Sequence, residues 1–577
     1  MCGIIGGCGK YSESGLNRAL ALLQHRGPDG TGIEKVHNGV IGHTRLAIVD
    51  VSMGRQPIWN EDHTICAAVN GEFYDQSKVR AELHDHTFKT NSDSEILIHM
   101  YEEYGTTAIE NLNGEFAFIL FDAVKKRWFI GRDRFGIRPL FYISDATGVW
   151  AGSKASAVLA IANKSTSICE ESLAFAFCNQ YLPLDRSWFK NVKKLKPGHY
   201  LIYESNKLST HKYWELPRES ATETASNEEA RELLRQAVQR RIPTEVEAAT
   251  HLSGGLDSSI ISVLASKEGV RKAYTVKFTD KDTYDESEEA QRTASILGME
   301  LIPVPVSQDT IYANWRKAVL AGEDTFINGH GVAKYLLSKQ IHADGIKVVL
   351  TGEGSDELFY GYAHLVQDYY QEPYTEHSIA GIHTPMGMRQ PNVPTWMQAK
   401  YELFKPLRDI FGTSEAKKIK SKAGVEEAAR TWMQYSMGGY ILQVLDDGMG
   451  MSHAVESRLP FLDVKFVDWV KTHIRLDSHF ARGVEKPWIR QLYKGILPEE
   501  VIARKKHPFM APPTNVLLAG KYGPEIREQI LDNMLPQQNK TKTEEWINQL
   551  TSDAKSGRIK PSDEPAFSTL LSLAYLQ

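Results

Sequence analysis

A cysteine stands second in the chain, in the opening segment MCGIIGG. Removal of Met1, which requires a small side chain at the next position, would leave the Cys2 thiol and a free α-amine on one residue. The ordinary pKa is about 7.7–8.0 for an α-amine and about 8.5 for a thiol, so near pH 7 the amine can take the thiol proton. Nucleophile and base would then share one residue, an arrangement suited to covalent hydrolysis. The segment alone does not distinguish this from an incidental cysteine.

A turn rich in glycine and serine, HLSGGLDSS over 251–259, follows a predicted strand and opens a predicted helix. Gly254 and Gly255 let the backbone approach a ligand closely, and a helix N-terminus attracts phosphate through its free N–H groups and dipole. Asp257 lies inside the turn, where a carboxylate beside phosphates suits a Mg²⁺ ligand. A second acidic turn, TGEGSDE over 351–357, follows another buried strand. The sequence has no GxxxxGK[ST] motif, so a P-loop that transfers a γ-phosphate is not supported.

The composition narrows the class of protein. A chain of 577 residues with 42% hydrophobic and 24% charged residues is typical of a globular protein of several domains. The net charge of -5 argues against a nucleic acid or an anionic membrane as partner. No apolar run approaches the ~18–20 residues of a membrane span, and the opening lacks the pattern of a signal peptide. Five cysteines without zinc-like spacing favour a reducing compartment, so we expect a cytoplasmic protein.

The two halves of the chain differ in pattern. Residues 1 to about 205 combine short β-rich segments, such as EFAFILFDAVKKRWFIGRD, with two helical patterns and predict a layered α+β domain. The segment PRESATETASNEEA is poor in apolar residues and predicts a linker, which we place at 206–228. From 229 onward, short apolar strands alternate with longer helices, which is typical of a parallel, doubly wound α/β domain. From about 395 the pattern is mainly helical.

Motifs in both halves resemble one family, the glutamine-hydrolysing asparagine synthetases. SGGLDSS resembles the pyrophosphatase-type ATP loop (PP-loop) of adenylating amidotransferases, and GEGSDE, VESRLPFLD and EKPWIRQLYKGILPEEV resemble the synthetase domain. MCGIIGG, HRGPDG, HTRLAIVD, VNGEFYD, SDSEIL and GRDRFGIRPLFY resemble the family's class II glutamine amidotransferase domain. The resemblance extends from residue 2 to about residue 515. It implies a four-layer αββα domain of the Ntn-hydrolase type over 1–205, and a PP-loop ATP-pyrophosphatase α/β domain with a helical C-terminal part over 229–577.

For the first domain, the resemblance makes Cys2 the nucleophile and its own amine the base, so that glutamine gives a thioester and ammonia. Asn70 and Gly71 match the oxyanion-hole pair, one side-chain amide and one backbone N–H. Arg45 matches a bidentate clamp for the α-carboxylate, and two acidic residues match those that hold the α-amine. The full set matched to glutamine binding is Arg45, Leu46, Ala47, Ile48, Val49, Asn70, Gly71 and the acidic pair Glu72 and Asp93.

For the second domain, the resemblance implies a nucleotide site and an acyl-transfer site. Asp257 and Asp356 match the carboxylates that bind Mg²⁺ and pyrophosphate. Glu353 matches the residue at the acyl-adenylate, where a base could deprotonate ammonia. Lys486 matches a lysine that neutralises charge on pyrophosphate. The matches to ATP binding are Leu252, Ser253, Gly254, Gly255, Asp257, Ser258, Val276, Thr351 and Gly352, and the implied catalytic residues are Cys2, Asn70, Gly71, Glu353 and Lys486.

The implied reaction uses three substrates, namely glutamine, ATP and a carboxylic acid, with Mg²⁺ as cofactor. The carboxylate would be activated as an acyl-AMP and then amidated, giving the amide, AMP, pyrophosphate and glutamate. Ammonia must pass between the domains without protonation by bulk water, which implies a dry internal passage. A homodimer is a further expectation, which no motif encodes.

Departures from the family pattern concern the acceptor acid. The segment NGHG, Asn328 to Gly331, stands where asparagine-forming members often have an Ile-Arg pair. Gly448 replaces an arginine that is common in bacterial relatives, Tyr360 replaces a common glycine, and Lys154 stands where an acidic residue is usual. Lost arginines near an acid-binding pocket put free aspartate in doubt as the substrate and leave open a larger or less acidic carboxylic acid.

Three functions are therefore compatible with the sequence. The first is asparagine synthetase, with aspartate as the leading single acceptor. The second is the same chemistry on another carboxylic acid, such as a peptide, a sugar acid or a natural-product precursor. The third is a family relative without catalysis, and the intact set of Cys2, Arg45, Asn70, Asp257 and Glu353 argues against it.

The opening cysteine generates a testable prediction. Cys2→Ala should lose every glutamine-derived activity and keep the ammonia-dependent reaction, because the adenylation site lies in another domain and needs only NH₃. The intact mass of active protein should lack Met1, since an acylated nitrogen is no base. Amide formation with glutamine or with ammonium measures both activities. Wild-type glutaminase from Cys2→Ala, or from protein that retains Met1, would contradict the role of Cys2.

Overall fold

The computed structural model describes residues 1–179, 181–182, 184–219, 226–280, 282–370, 422–506, 510–533, 540–558 and 563–576. Residues 220–225 of the expected linker and the first part of the expected helical region, 395–421, lie outside this range. Everything stated below about elements and contacts concerns the described residues.

The first domain contains two antiparallel sheets of six strands each. Their strands, in chain order, are β1 Gly3–Cys8, β2 Gly30–Val36, β3 Gly39–Arg45, β4 Ile58–Trp59, β5 Ile65–Phe73, β6 Gly114–Asp122, β7 Arg127–Arg132, β8 Phe141–Asp145, β9 Gly148–Gly152, β10 Lys193–Lys194, β11 His199–Glu204 and β12 Lys207–Lys212. One sheet has the order β10-β8-β9-β1-β3-β2 and the other β12-β11-β7-β6-β5-β4. Since β12 pairs with β11, this domain's sheet continues past residue 205, where the sequence places the domain end.

Side-chain alternation along β6 explains why the sheets stack. Phe116, Phe118 and Leu120 pack with the helix Ile96–Tyr104 on one face, while Ala117 and Ile119 pack against the other sheet. Successive side chains of a strand point to opposite faces, so a strand covered on both sides is apolar throughout.

On the outer face of the other sheet, the helices Glu13–Leu23 and Ala155–Ile161 pack together, the first against β1 and β3 and the second against β8 and β9. The order of layers is therefore helix, sheet, sheet, helix, as the resemblance implied. The domain's α-helices are Glu13–Leu23, Gln76–Glu82, Ile96–Tyr104, Ala108–Asn111, Ala155–Ile161 and Glu170–Asn179.

The second domain is built on a parallel sheet of five strands, as its sequence pattern predicts. These are β13 Ala248–His251, β14 Lys272–Phe278, β15 Glu300–Val306, β16 Val348–Leu350 and β17 Glu456–Arg458, in the order β15-β14-β13-β16-β17. The chain proceeds from β13 to one edge and then returns to build the other half from β16. The crevice between β13 and β16 is therefore the topological switch point, where ligands bind at the carboxyl ends of the strands.

Helices flank this sheet and make up most of the C-terminal part. They are Asn227–Gln239, Leu256–Lys267, Ser287–Leu297, Gln308–Gly322, His330–Ala343, Ser355–Leu358, Ala363–Tyr370, Lys422–Trp432, a π-helix Met433–Gly448, Met449–Met451, Val464–His473, Pro487–Tyr493, Glu499–Ala503, Gly523–Asp532, Lys540–Lys555 and Glu564–Leu576. A two-stranded hairpin, β18 Phe480–Ala481 and β19 Val484–Glu485, precedes Pro487–Tyr493. Across the described parts of the chain, no helix combines the length and apolar character that crossing a bilayer requires.

The two domains meet through buried ion pairs around Glu115, a residue of β6 that is 1% exposed. Its carboxylate accepts hydrogen bonds from Arg138 at 2.8 Å, from Arg241 at 2.8 Å and from the Leu459 backbone N–H at 3.2 Å. Arg241 also donates to Asp463 at 2.8 Å. Buried charges persist only when they are paired and hydrogen-bonded, so this contact fixes how the domains dock.

Removing the Glu115 carboxylate should loosen the domain interface. Glu115→Ala leaves two buried guanidiniums short of a partner, and we expect a loss of about 3–5 kcal/mol in the free energy of unfolding. Glu204→Ala, which removes the half-exposed partner of Arg127, is the matched control and should cost about 0–1 kcal/mol. Thermal unfolding and limited proteolysis measure the difference. Equal midpoints for the two variants would show that the interface does not depend on Glu115.

Candidate active sites

Cys2 lies at the N-terminal end of β1, 6% exposed, next to residues from three other segments. Its backbone N–H donates to Asn70 Oδ1 at 2.9 Å, and its Sγ lies 3.9 Å from the carbonyl oxygen of Leu46. Met1 precedes it, is itself buried, and pairs through its amine with Glu456 of the second domain. Burial raises the pKa of the Cys2 thiol, so a nearby base is needed to make the thiolate.

The predicted oxyanion pair, Asn70 and Gly71, is placed on β5 beside Cys2. Gly71 has φ 138°, and a Cβ there would come within 1.9 Å of the Glu115 carbonyl oxygen, so the position requires glycine. Asn70 is fully buried, with its Oδ1 on the Cys2 N–H. The strand thereby places the Asn70 side chain on the backbone N–H of Cys2, with Gly71 next along the strand.

Glu72 and Asp93 form a buried carboxylate pair near the end of β5. Asp93 accepts a hydrogen bond from the Phe73 N–H at 2.7 Å, and Glu72 lies 3.0 Å from the Arg458 guanidinium. Burial raises the pKa of Asp93 to about 6, and burial together with the Asp93 charge raises the pKa of Glu72 well above its ordinary value. The pair therefore lacks a full complement of positive charge, which the α-ammonium of glutamine would supply.

Arg45 ends β3 and organises the segment that follows it. Its guanidinium donates to the carbonyl oxygens of Val51 at 3.0 Å, Asp50 at 2.6 Å and Val49 at 3.4 Å. The predicted binding segment Leu46–Val49 thus lies between Cys2, which contacts Leu46, and the loop that Arg45 holds.

The predicted ATP loop joins β13 to the helix Leu256–Lys267. Gly254 has φ 76°, and a Cβ there would clash with the backbone of Glu289 at 2.7 Å. Ser258 closes the turn, because its hydroxyl accepts from the Ser253 N–H at 3.2 Å and donates to the Gly255 carbonyl at 3.2 Å. The loop is preformed, with the start of the helix facing the cleft.

The second acidic turn follows β16 and meets the ATP loop across the switch point. A Cβ on Gly352 would come within 2.9 Å of the Asp257 backbone, so the two turns touch. Together they line a cleft of about 250 Å³. The nucleotide positions among its lining residues are Leu252, Ser253, Gly255, Asp257, Ser258, Val276, Thr351 and Gly352.

Two lysines bring the two predicted metal carboxylates together. Lys486 Nζ lies 2.6 Å from both oxygens of Asp257 and 2.7 Å from Asp356, and Lys506 lies 2.5 Å from Asp356. Burial alone would raise the pKa of Asp356, but Lys486 and Lys506 hold it well below its usual range. The sequence does not predict Lys506 as a site residue, because it belongs to no motif, and the fold brings it next to Asp356.

Glu353 is bound by a buried lysine that the sequence analysis missed. Lys334, on the helix His330–Ala343, lies 2.9 Å from Glu353 and 3.1 Å from Asp446. Burial would lower the pKa of Lys334, but the two carboxylates raise it above its ordinary value. Burial raises the pKa of Asp446 to about 7. Lys334 lies four residues after His330 on the same helix, and this i, i+4 spacing places both side chains on one face.

A short chain of contacts connects the two predicted sites. Asp447 binds both terminal nitrogens of Arg26, at 2.7 and 3.0 Å, and Arg26 Nε donates to the Cys2 carbonyl at 3.2 Å. Its neighbour Asp446 binds Lys334, which binds Glu353. Two consecutive residues of the π-helix therefore reach both centres.

The departures from the family pattern fall in different places. Of the segment 328–331, His330 lines the cleft, with Nε2 3.1 Å from the Tyr440 hydroxyl. Lys154 lies at the domain interface, 3.3 Å from Glu323. Tyr360 is buried, and its hydroxyl donates a hydrogen bond to Glu219. Gly448 ends the π-helix. His330 therefore carries the change in the acceptor region, and the other three residues contact the interface or the core.

Comparison with known proteins agrees with this architecture. A family model described as "Glutamine amidotransferase domain" matches residues 1–214, and one described as "Asparagine synthase" matches 229–573. The chain is 30% identical to "Amidase chry2" of Gibberella zeae, over 88% of this chain and 86% of that protein. It is 30% identical to "Amidase chyE" of Penicillium rubens, over 86% and 84%. It is 28% identical to "Asparagine synthetase [glutamine-hydrolyzing] 3" of Bacillus subtilis, over 88% and 87%.

The chain belongs to the asparagine synthase family, with a glutamine amidotransferase domain in front of the synthase domain. The resemblance found in the motifs and the expected fold class are thus confirmed. The protein is a glutamine-hydrolysing, ATP-dependent amidotransferase of this family. The roles of individual residues stay predictions.

The carboxylate pair predicts a pH dependence of glutamine binding. Asp93 has a raised pKa of about 6, so its anion is present above that pH and lost below it, together with its attraction for an α-ammonium. In Cys2→Ala, which cannot turn glutamine over, the affinity for glutamine should fall as the pH is lowered through the pKa of Asp93. It should fall about tenfold per pH unit below the pKa.

Titration calorimetry between pH 5 and pH 8 measures this dependence. Asp93→Asn in the same background is the control, and it should bind weakly with a flatter profile. A constant affinity down to pH 5 would show that Asp93 does not hold the ammonium.

Proposed function

We propose that this protein hydrolyses glutamine at Cys2, transfers the ammonia internally, and amidates a carboxylic acid activated by ATP. The observation that supports this most strongly is the contact chain from Cys2 through Arg26, Asp447, Asp446 and Lys334 to Glu353, which lines the cleft beside the predicted ATP loop. A protein that only hydrolysed glutamine would have no use for a second preformed site in contact with the first.

In the glutaminase site, the chain's own groups suffice for the hydrolysis. The Cys2 thiolate attacks the carboxamide carbon, and the negative charge that develops on oxygen is met by the Asn70 side chain and the Gly71 N–H. Removal of Met1 would leave the new α-amine where the Cys2 nitrogen is now, 2.9 Å from Asn70 Oδ1. Glu72 and Asp93 bind the α-ammonium of glutamine. Arg45 positions the loop 49–51 next to the place of the α-carboxylate.

In the synthase site, the donor set suits Mg²⁺ and pyrophosphate. Asp257 and Asp356 offer carboxylate oxygens at the mouth of the ATP loop, the kind of ligand that Mg²⁺ prefers. When bound there, the ion would neutralise phosphate charge. Lys486 and Lys506, now paired with the same carboxylates, can turn to the phosphates when the ion takes their place.

Glu353 faces the point where ammonia meets the activated acid. Lys334 donates to one of its oxygens at 2.9 Å, and the other oxygen is left to accept a proton from the attacking ammonia. The side chain keeps 32% exposure to the cleft, so it is available to a substrate.

The acceptor that this pocket fits best is a carboxylic acid with an uncharged remainder. The cleft that holds Glu353 is also lined by His330, Leu337, Ile441 and Leu445, and Lys334 is already engaged by two carboxylates. Burial lowers the pKa of His330 to about 3, so it is neutral. Aspartate would bring a second carboxylate and an ammonium group, both costly to bury without partners. The "amidase" names of two relatives accord with an acceptor other than aspartate, and asparagine synthesis is the competing proposal.

A panel of carboxylic acids tests the acceptor proposal. Glutamine-dependent pyrophosphate release should be strongest with aromatic or aliphatic monocarboxylic acids, and at least about tenfold weaker in kcat/KM with aspartate, because each unpaired charge costs upward of 1.4 kcal/mol. Aspartate at the top of the panel would make this protein an asparagine synthetase.

A pair of lysine variants on one helix tests the acyl site. Lys334→Met leaves Glu353 and Asp446 without their cation, and pyrophosphate release should fall at least about tenfold while glutamine hydrolysis remains. The matched control is Lys339→Met, an exposed position on the same helix, which should behave as wild type. Unchanged synthesis by Lys334→Met would remove Lys334 from the site.

A further inference from the structure

Two histidines and two glutamates converge around the helix Ile96–Tyr104 of the glutaminase domain, and none of the four belongs to the two sites described above. They are Glu61 after β4, His86 in the segment between two helices, and His99 and Glu102 on the helix Ile96–Tyr104. One ligand atom from each lies within 4.8 Å of the other three. No element of the proposed reaction uses them.

The inward-facing atoms of this cluster are a set of two imidazole nitrogens and two carboxylate oxygens. Glu102 Oε2 lies 2.7 Å from His99 Nδ1 and 3.3 Å from His86 Nδ1, and Glu61 Oε2 lies 3.9 Å from His99 Nδ1. Ligands about 2.0–2.2 Å from a tetrahedral Zn²⁺ are about 3.3–3.5 Å from one another. The observed spacings bracket that separation, so small side-chain adjustments would complete the geometry.

The outward-facing atoms of both histidines also meet carboxylates. His86 Nε2 lies 2.8 Å from Glu103, and His99 Nε2 lies 3.6 Å from Glu95. A carboxylate hydrogen-bonded to the outer nitrogen, as Glu103 is to His86, fixes the ring and makes the inner nitrogen a better metal ligand, and Glu95 lies just beyond that distance from His99.

The two ligand carboxylates are oriented in the same way. The second carboxylate oxygen of Glu102, Oε1, accepts a hydrogen bond from Asn60 Nδ2 at 2.7 Å. The second oxygen of Glu61 accepts one from the Thr87 N–H, also at 2.7 Å. Glu61, His86 and Glu102 are therefore each hydrogen-bonded on the side away from the centre, with one donor atom left for a metal ion.

We propose that Glu61, His86, His99 and Glu102 form a binding site for one divalent transition-metal ion, with Zn²⁺ as the ion that its donor set and spacing fit best. Four carboxylates surround two imidazoles, so the cluster has an excess of negative charge that a dication balances. Imidazole and carboxylate donors in a four-coordinate arrangement suit Zn²⁺. Glu61 is 36% exposed at its side chain and leaves a path from solvent.

A bound metal ion would stabilise the segment 89–95, which carries Asp93 of the proposed glutamine site. Glu95, which faces His99, also accepts from the backbone N–H groups of Lys89 and Thr90 at 2.7 and 2.8 Å. Asp93 lies between these residues and binds the Phe73 N–H. A bound ion therefore fixes the base of the segment from which Asp93 reaches the glutaminase centre.

Zinc titration of the tag-free, full-length protein tests the proposal. After dialysis against a chelator, isothermal calorimetry should show one Zn²⁺ bound at this site and a rise of several degrees in the unfolding midpoint. Co²⁺ in its place should give the intense visible absorption of a four-coordinate site. Metal analysis of protein purified without chelators provides a second readout.

Variants at the cluster's partly exposed ligands separate this site from the carboxylates of the ATP cleft. Glu61→Gln and His86→Gln should each abolish the Co²⁺ band and the Zn²⁺-dependent rise, with the apo midpoint within a few degrees of wild type. His84→Gln, an exposed histidine two residues from His86, is the control and should keep both. Absence of stoichiometric Zn²⁺ binding by wild type, or equal binding by His86→Gln, would overturn the proposal.

Discussion

The structure depends on two adjacent carboxylates, Asp446 and Asp447, at the end of one helix between the domains. Neighbouring residues on a helix do not face the same side, so one turn of backbone can serve two partners. Asp447 binds Arg26, which donates to the Cys2 carbonyl, and Asp446 binds Lys334, which holds Glu353. The helix has π-type bonding, which is frequent at functional sites.

This arrangement costs stability, because it buries charges that water would otherwise solvate. Asp446 and Asp447 are each 2% exposed. A buried ion pair is weak evidence for stability but fixes a single geometry, because breaking it leaves a charge without a partner. We therefore regard the interface charges, including Glu115 with Arg138 and Arg241, as determinants of how the two domains are oriented. That orientation is what a passage for ammonia needs.

Much of the fold follows from local sequence patterns. EFAFILFD alternates over two covered faces and forms β6, and the Gly-rich turns after β13 and β16 meet at the switch point because parallel strands end at one edge. The strand Lys207–Lys212 was missed, since its polar, mostly exposed sequence has no alternation of apolar residues. For that reason the sequence does not show that the sheet of the first domain extends past residue 205.

The site was predictable where residues belong to continuous motifs and not where the fold assembles them. Cys2, Asn70 and Asp257 stand in such motifs. Lys334 meets Asp446 across 112 residues of chain, and no local pattern marks that pairing. The histidine and glutamate cluster likewise joins three segments that are separate in sequence.

The most direct test of the account is the fate of the amide nitrogen. Wild-type enzyme, supplied with its best acceptor, ATP and [¹⁵N-amide]glutamine in the presence of excess unlabelled ammonium at neutral pH, forms an amide whose nitrogen mass spectrometry can assign. If ammonia passes internally from Cys2 to Glu353, the product carries predominantly ¹⁵N despite the external pool. A product labelled in proportion to the mixed pool in solution would show that the two sites share a chain without sharing their ammonia.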